Sequence, residues 1–304
     1  MSGILPPPGV YFQSDTFYYQ GSAQAKSSFS RGASRRNVNF EIAGVPVAGL
    51  EAEALIEMAT GTWIAKPSLL GGNLGLAYTQ GVGWLEVAAN VGASGTGELS
   101  IGPISRTLSF ARTAEQTDDL TGFADPYFTA LLGWHAGNLH WNLNAGLNVP
   151  AGDWELGRLA NLGFNRWALD VGVAATWLNE KIGLELTAAP GITFNDENPD
   201  TNYRTGTEFH VEFAAMQFFT PKLALGVSGY YYKQVTGDSG LGARLGGFKG
   251  RVPAIGPDLI YNFNVHGVPV TANARWMHEF NVQRRLKGDV GLLTIAFPLS
   301  GAGG

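Results

Sequence analysis

The chain has 304 residues, of which 42 are glycine and only 15% are charged, while hydrophobic residues make up 45% and aromatic ones 12%; that much apolar and aromatic side chain excludes disorder and collagen. Its 20 basic and 25 acidic residues leave a formal charge of -5, with no basic stripe to neutralise phosphates, which points away from nucleic acid. The absence of cysteine removes disulfides, thiolate metal ligands and thiol nucleophiles together, and suits an oxidising envelope compartment.

No stretch of 18 uninterrupted apolar residues occurs, so no helix is expected to cross a membrane. The opening MSGILPPPGV has neither the basic nor the apolar region of a secretory leader, and in an exported chain Met1 would replace a leader already removed. No Pro- or Ser-rich linker or charge run divides the sequence, which reads as a single domain over 1–304.

Period-two alternation recurs along most of the chain. It predicts strands at about 9–22, 48–64, 73–93, 124–135, 138–150, 163–178, 181–195, 203–219, 222–236, 250–264, 268–282 and 287–298. The clearest has Leu139, Trp141, Leu143, Ala145, Leu147 and Val149 on one face, and His140, Asn142, Asn144, Gly146 and Asn148 on the other. Farther on, Phe209, Val211 and Phe213 oppose Glu208, His210 and Glu212, while Val270, Ala272, Ala274 and Trp276 oppose Asn273, Arg275 and Glu279. Ten or more residues with one greasy and one charged face make poor soluble-sandwich strands, which are usually about half as long. They fit a transmembrane antiparallel up-and-down β-barrel of about twelve strands.

The connections alternate as well. Those containing KPSLLGG, HAGN, NE, TP and NVHG are short, as periplasmic turns are, whereas 22–47, 94–122, 151–162, 195–202 and 236–249 are longer, as extracellular loops are. Both termini then face the periplasm, and the compartment is the bacterial outer membrane, with its lipid and lipopolysaccharide as surroundings. Trp167 and Trp177 bracket one strand on its apolar face; ten residues at ~3.4 Å, tilted about 40°, rise roughly 25 Å, the height of the lipid-facing band.

Motifs that suggest chemistry have plainer readings. GDSG at Gly237–Gly240 resembles a serine-protease nucleophile segment without the rest of a triad. No His-x-Ser pair of the outer-membrane phospholipase kind occurs: His140 is followed two on by Asn142, His210 by Glu212 and His278 by Phe280. The glycine-rich runs GASGTG and GLGARLGG lack the following helix of a phosphate loop, and NDENPDTN lacks calcium-loop spacing. No catalytic residue, metal site or cofactor is expected.

The polar face carries the functional candidates. Glu51, Glu53, Glu57, Arg166, Asp170, Glu208, His210, Glu212, Asp258, Arg275 and Glu279 are expected to line the lumen, with Arg166 and Arg275 neutralised by inward carboxylates. Tyr230 and Tyr232 are expected inward below the outer rim, where their rings would hold an aromatic solute or simply pack the rim. Twelve strands lie between a filled eight-stranded barrel and an open sixteen-stranded porin, so the lumen should be narrow.

From Gly122 onward, ordered motifs carry a family resemblance: GFADPYF at Gly122–Phe128, LNVPAGDWELGRLANLGFNRWALD at Leu147–Asp170, NPDTNYRTGTEFHVEFA at Asn198–Ala214, GVSGYYYKQVTGDSG at Gly226–Gly240, GRVPAIGPDLIYNF at Gly250–Phe263 and HEFNVQRRLKGDV at His278–Val290. With these, the chain resembles the outer-membrane transporter-like family named for the meta-pathway of phenol degradation. The resemblance covers about 180 C-terminal residues and is looser before them. It implies a barrel associated with uptake of aromatic or other hydrophobic compounds, and no catalytic residues. A departure is the tail SGAGG, which follows the last strand and leaves Phe297 short of the C-terminus.

The expected function is therefore an outer-membrane channel for small hydrophobic or aromatic solutes through a narrow polar lumen, acting as a monomer. A second class stays open: a non-transporting structural or adhesive barrel whose outer loops bind partners.

Overall fold

The computed structural model describes residues 3–26, 29–35, 38–101, 104–244 and 246–300, and the regular elements among them are β-strands. In chain order they are β1 (Gly9–Lys26), β2 (Phe29–Arg35), β3 (Val38–Leu69), β4 (Gly72–Ile101), β5 (Ile104–Phe123), β6 (Tyr127–Ala136), β7 (Leu139–Asn148), β8 (Ala168–Asn179), β9 (Leu184–Asn195), β10 (Glu197–Asn198), β11 (Tyr203–Arg204), β12 (Glu208–Phe218), β13 (Leu223–Gln234), β14 (Arg251–Val265), β15 (Val268–Glu279) and β16 (Lys287–Ser300).

Leaving out β2, β5 and the small β10–β11 hairpin, twelve strands pair antiparallel in one circuit, β1 to β3, β4, β6, β7, β8, β9 and β12 through β16, and β16 returns to β1. Closure satisfies every strand edge at membrane depth, the condition hydrocarbon imposes on a spanning sheet. The strands β6 to β9, at 10 to 12 residues, cross an apolar band of about 25 Å at the usual tilt.

Alternation assigns the faces. Leu169, Val171 and Val173 of β8 are 40–45% exposed and face lipid, whereas Ala174 and Thr176 on the other face are fully buried. Aromatic pairs flank the lipid face: Phe12 with Phe297 and Trp134 with Trp141 toward the periplasmic turns, Tyr18 with Trp276 toward the outer rim. Two of the short turns, Leu70-Gly71 and His266-Gly267, have both central residues at positive φ (52° and 76°, 49° and 86°), the type I′ twist that a two-residue hairpin requires.

The structure departs from the sequence expectation at the outer side. The segments 22–47 and 94–122, expected as loops, are largely stranded. β3 and β4 run to 32 and 30 residues and pair far beyond the barrel wall, with β2 added along β3 and β5 along β4. The result is a four-stranded ribbon continuous with the wall. Its strand β5 then passes through Ala124–Pro126 into β6, so one side of β4 pairs first with β6 and then with β5. Met1 and Gly301–Gly304, on which the leader and tail expectations rest, lie outside the described residues.

Candidate functional site: the lumen and its outer rim

Three layers of side chains fill the lumen. At the outer end, Glu208 of β12 accepts hydrogen bonds from Asn195 Nδ2 (3.0 Å) and from the Tyr232 hydroxyl. The Tyr232 oxygen in turn accepts from Arg285 Nη2 at 3.0 Å, and the same nitrogen donates to Gln234 Oε1 at 3.0 Å. Arg285 comes from the β15–β16 connection, lies 5.6 Å over the Tyr232 ring and stands 3.9 Å from Glu208. Arg166 enters beside it, donating from Nε to Asn195 Oδ1 at 3.2 Å, with its guanidinium 4.8 Å over the Phe164 ring.

In the middle layer His210 Nε2 pairs with Asp170 Oδ2 at 2.7 Å, and Thr193 donates to the same oxygen at 2.6 Å. Across the lumen Glu279 accepts from Tyr230 (2.6 Å), Tyr19 (3.3 Å) and the Gly288 backbone N–H (2.7 Å). Between these groups lies a cavity of about 620 Å³, bounded by β1, β3, β9 and β12 through β16. Its wall mixes Phe17, Tyr19, Met58, Met216 and Met277 with Asp258, Arg275 and Asn273.

Below, the stretch before β1 crosses the lumen near its periplasmic end. Gly3 N–H donates to the inward Thr176 Oγ1 at 2.9 Å; a Cβ on Gly133 of β6 would collide with Leu5; and Tyr11 donates to Pro7 O at 2.7 Å. A side chain at Gly3 would strike the backbone of Ala175, Thr176 and His140, so only glycine lets this stretch lie so close to the wall.

The structure thus places Arg166, Asp170, Glu208, His210, Glu212, Tyr230, Tyr232, Asp258, Arg275 and Glu279 toward the lumen. It turns Glu57 outward, against expectation. On β3 the inward positions are the even ones, as buried Ala54 and Ile64 show, while Leu55 and Trp63, nearly half exposed, share the Glu57 face. The pairing Thr16↔Glu57 and the hydroxyls of Ser14 and Thr16, which donate to the Glu57 carboxylate, hold it on the outer surface of the wall. Glu53 faces the same way, accepting from Tyr18 at 3.1 Å, and Glu51 shares its parity.

A second correction concerns charge pairing. Among the described residues no ion pair reaches Arg166 or Arg275; the cation standing over Glu208 is Arg285. The signal for it lay in the HEFNVQRRLKGDV motif. Asp15 and Tyr19 were also missed as lumen residues, although YFQSDTFYYQ alternates and places both with Gln13 and Phe17 on one face.

The family motifs hold the rim together. Asp125 of GFADPYF is buried at the β5–β6 passage: Oδ1 accepts Gly152 N–H (2.8 Å) and Ala151 N–H (3.2 Å), and Oδ2 accepts Phe164 N–H (2.9 Å) and Asn148 Nδ2 (2.9 Å). Asp118 of β5 takes Arg158 in a two-pronged pair (2.6 and 3.2 Å) together with the Leu159 and Ala160 N–H groups. Arg158 beside it holds the Asp118 carboxyl down at about 2. On the opposite rim Tyr203 donates to buried Asp238, and burial followed by that carboxylate pushes the phenol up to about 12. GDSG is therefore a packed rim segment.

With this geometry in view, comparison with known proteins is informative. Residues 28–295 match the family described as "Putative MetA-pathway of phenol degradation". The chain belongs to that family. Among solved structures it is similar to the COG4313 outer membrane channel of Pseudomonas putida F1, at 12% identity, covering 96% of each chain with a TM-score of 0.62. It is less similar to a FadL homologue of Pseudomonas aeruginosa (9% identity, 96% of this chain and 90% of that one, TM-score 0.42) and to OccK7 of the same organism (9%, 96% and 100%, TM-score 0.35). No curated protein matches. The family and the closed twelve-strand wall make this an outer-membrane β-barrel.

Proposed function

We propose that the chain is an outer-membrane uptake channel for small hydrophobic or aromatic compounds, working as a single monomeric barrel surrounded by lipid and lipopolysaccharide. The observation that carries this reading is the combination of a layered, crossed lumen with a cavity of about 620 Å³ whose wall sets aromatic and methionine side chains beside a few polar ones. A wide water-filled pore would pass small polar solutes freely; a lumen with Arg285, Tyr232 and Glu208 bonded across its outer end and Gly3–Pro8 across its inner end does not. A cavity of this size suits a ligand of one or two rings. The solved channel of Pseudomonas putida, named as an outer membrane channel, is in keeping with the reading. Planar-bilayer recording should give small conductance steps, and a deletion strain should lose growth on, or accumulation of, aromatic compounds and recover it with the gene; conductance of general-porin size with unchanged uptake would refute it.

The ribbon of β2 to β5 supports a second reading, in which the barrel displays a partner-binding surface without transport. Shortening that ribbon separates the two: uptake survives under the first and surface binding is lost under the second.

A further inference from the structure

Among the described residues that line the lumen cavity, every carboxylate is already engaged, while two buried donors are not. Asp15 accepts from Thr294 and Gln13, Asp258 from Asn273, Glu185 from Thr187, and Glu279 from two tyrosines and a backbone N–H; Glu212 is also engaged. In contrast, Arg275 Nε and Ser228 Oγ are buried with no hydrogen-bond partner, and both line this cavity. They stand on either side of β14, Ser228 opposite Gly256 and Arg275 opposite Asp258, and Gly256 leaves the wall between them without a side chain. A buried donor left unmade is costly, and most costly on a charged group.

From this arrangement we propose that the cavity holds a neutral, oxygen-bearing aromatic solute, whose oxygen accepts from Arg275 and meets the Ser228 hydroxyl while its ring lies against Phe17 and Tyr230. The inference rests on the uptake reading and names the solute class for it. A neutral carbonyl or hydroxyl oxygen gains a charge-assisted hydrogen bond from the guanidinium. A carboxylate of the same size meets that guanidinium together with Asp15, Glu185, Asp258 and Glu279, and among the described residues Arg275 is the one lysine or arginine lining the cavity; the repulsion disfavours it. A hydrocarbon of the same shape leaves both polar groups unpaired, and such mismatch is how buried polar sites reject analogues.

The test titrates acetophenone, ethylbenzene and benzoate into the nanodisc-embedded protein by saturation-transfer NMR, with empty nanodiscs as control. Acetophenone should bind at least tenfold more tightly than ethylbenzene, and benzoate more weakly than either. Arg275→Met, which keeps the length and removes the donors, should bring acetophenone down to ethylbenzene and leave ethylbenzene unchanged; Ser228→Ala should weaken acetophenone about threefold. Equal binding of acetophenone and ethylbenzene, preferred binding of benzoate, or a ketone preference surviving Arg275→Met overturns the inference and leaves the uptake reading standing. If none of the three binds, the uptake reading falls and takes the inference with it. Should Arg275→Met fail to fold, the wild-type ranking and Ser228→Ala still decide.

Discussion

Replacing Asp125 by alanine should open the outer rim locally without unfolding the barrel. The carboxylate gathers four donors, but they do not lose equally. Ala151 N–H also reaches Val149 O at 2.8 Å, and Asn148 Nδ2 also reaches Arg166 O at 3.1 Å. Among the described residues, Gly152 N–H and Phe164 N–H have only Asp125. Each orphaned buried donor costs about 1–3 kcal/mol, and both sit close under the rim, where some water replaces the lost acceptor; the net local cost is then about 2–4 kcal/mol. Gly152 already lies so close to the backbone of Ala124 and Asp125 that a Cβ there would collide, which leaves the loop little room to close over the gap. Hydrogen exchange of the membrane-inserted protein should show the Gly152 and Phe164 amides losing protection by roughly 30- to 1,000-fold, with the strand amides of β7 and β8 unchanged. Asp125→Asn, which retains one acceptor oxygen, should fall between. Protection at these two amides unaltered in Asp125→Ala would refute the clamp.

Val171, four residues from Trp167 and six from Trp177, lies near mid-membrane, and Val171→Arg should lower the stability of the refolded barrel by about 2–4 kcal/mol, read from denaturant titration in lipid vesicles; an unchanged midpoint would mean that the face is misassigned. The Asp118 carboxyl is held below its unfolded value, so its contribution to docking the 149–167 segment is complete above about pH 4 and is lost as pH falls toward 2; the Leu159 and Ala160 amides should lose exchange protection over that window, and Asp118→Asn should remove the pH dependence. A cysteine replacing the 85%-exposed Leu241 should react with an impermeant reagent on intact cells, while one at Pro221 should react only after lysis; the reverse pattern would invert the topology.

Much of the wall was legible because side-chain alternation is a local property: the stretch 139–149 states both its faces without reference to any neighbour. The ribbon was not, because β5 is polar on both sides along much of its length and becomes a strand only through pairing with β4. Glu57 was misread for the same reason, its hydroxyl partners Ser14 and Thr16 coming from a strand about forty residues earlier, so a rule that sends carboxylates inward had no means of seeing them. The rim motifs were recognised as distinctive, but their work, an aspartate gathering backbone donors from a distant loop, depends on a chain path that sequence spacing does not encode. That the Arg275 Nε stays without a partner is a fact of packing, which no pattern in the sequence encodes.

The seam where β16 meets β1 carries a kinetic consequence. Thirteen residue pairs join the two strands, and the Thr294–Asp15 hydrogen bond closes a loop of 279 residues. Such remote contacts are entropically late and slow to form, and β1 cannot complete its ladder until the last-made strand arrives. During that interval its apolar outer face and one open edge must be kept from other chains, so export and insertion of this protein should depend on a holding chaperone for as long as the seam stays open.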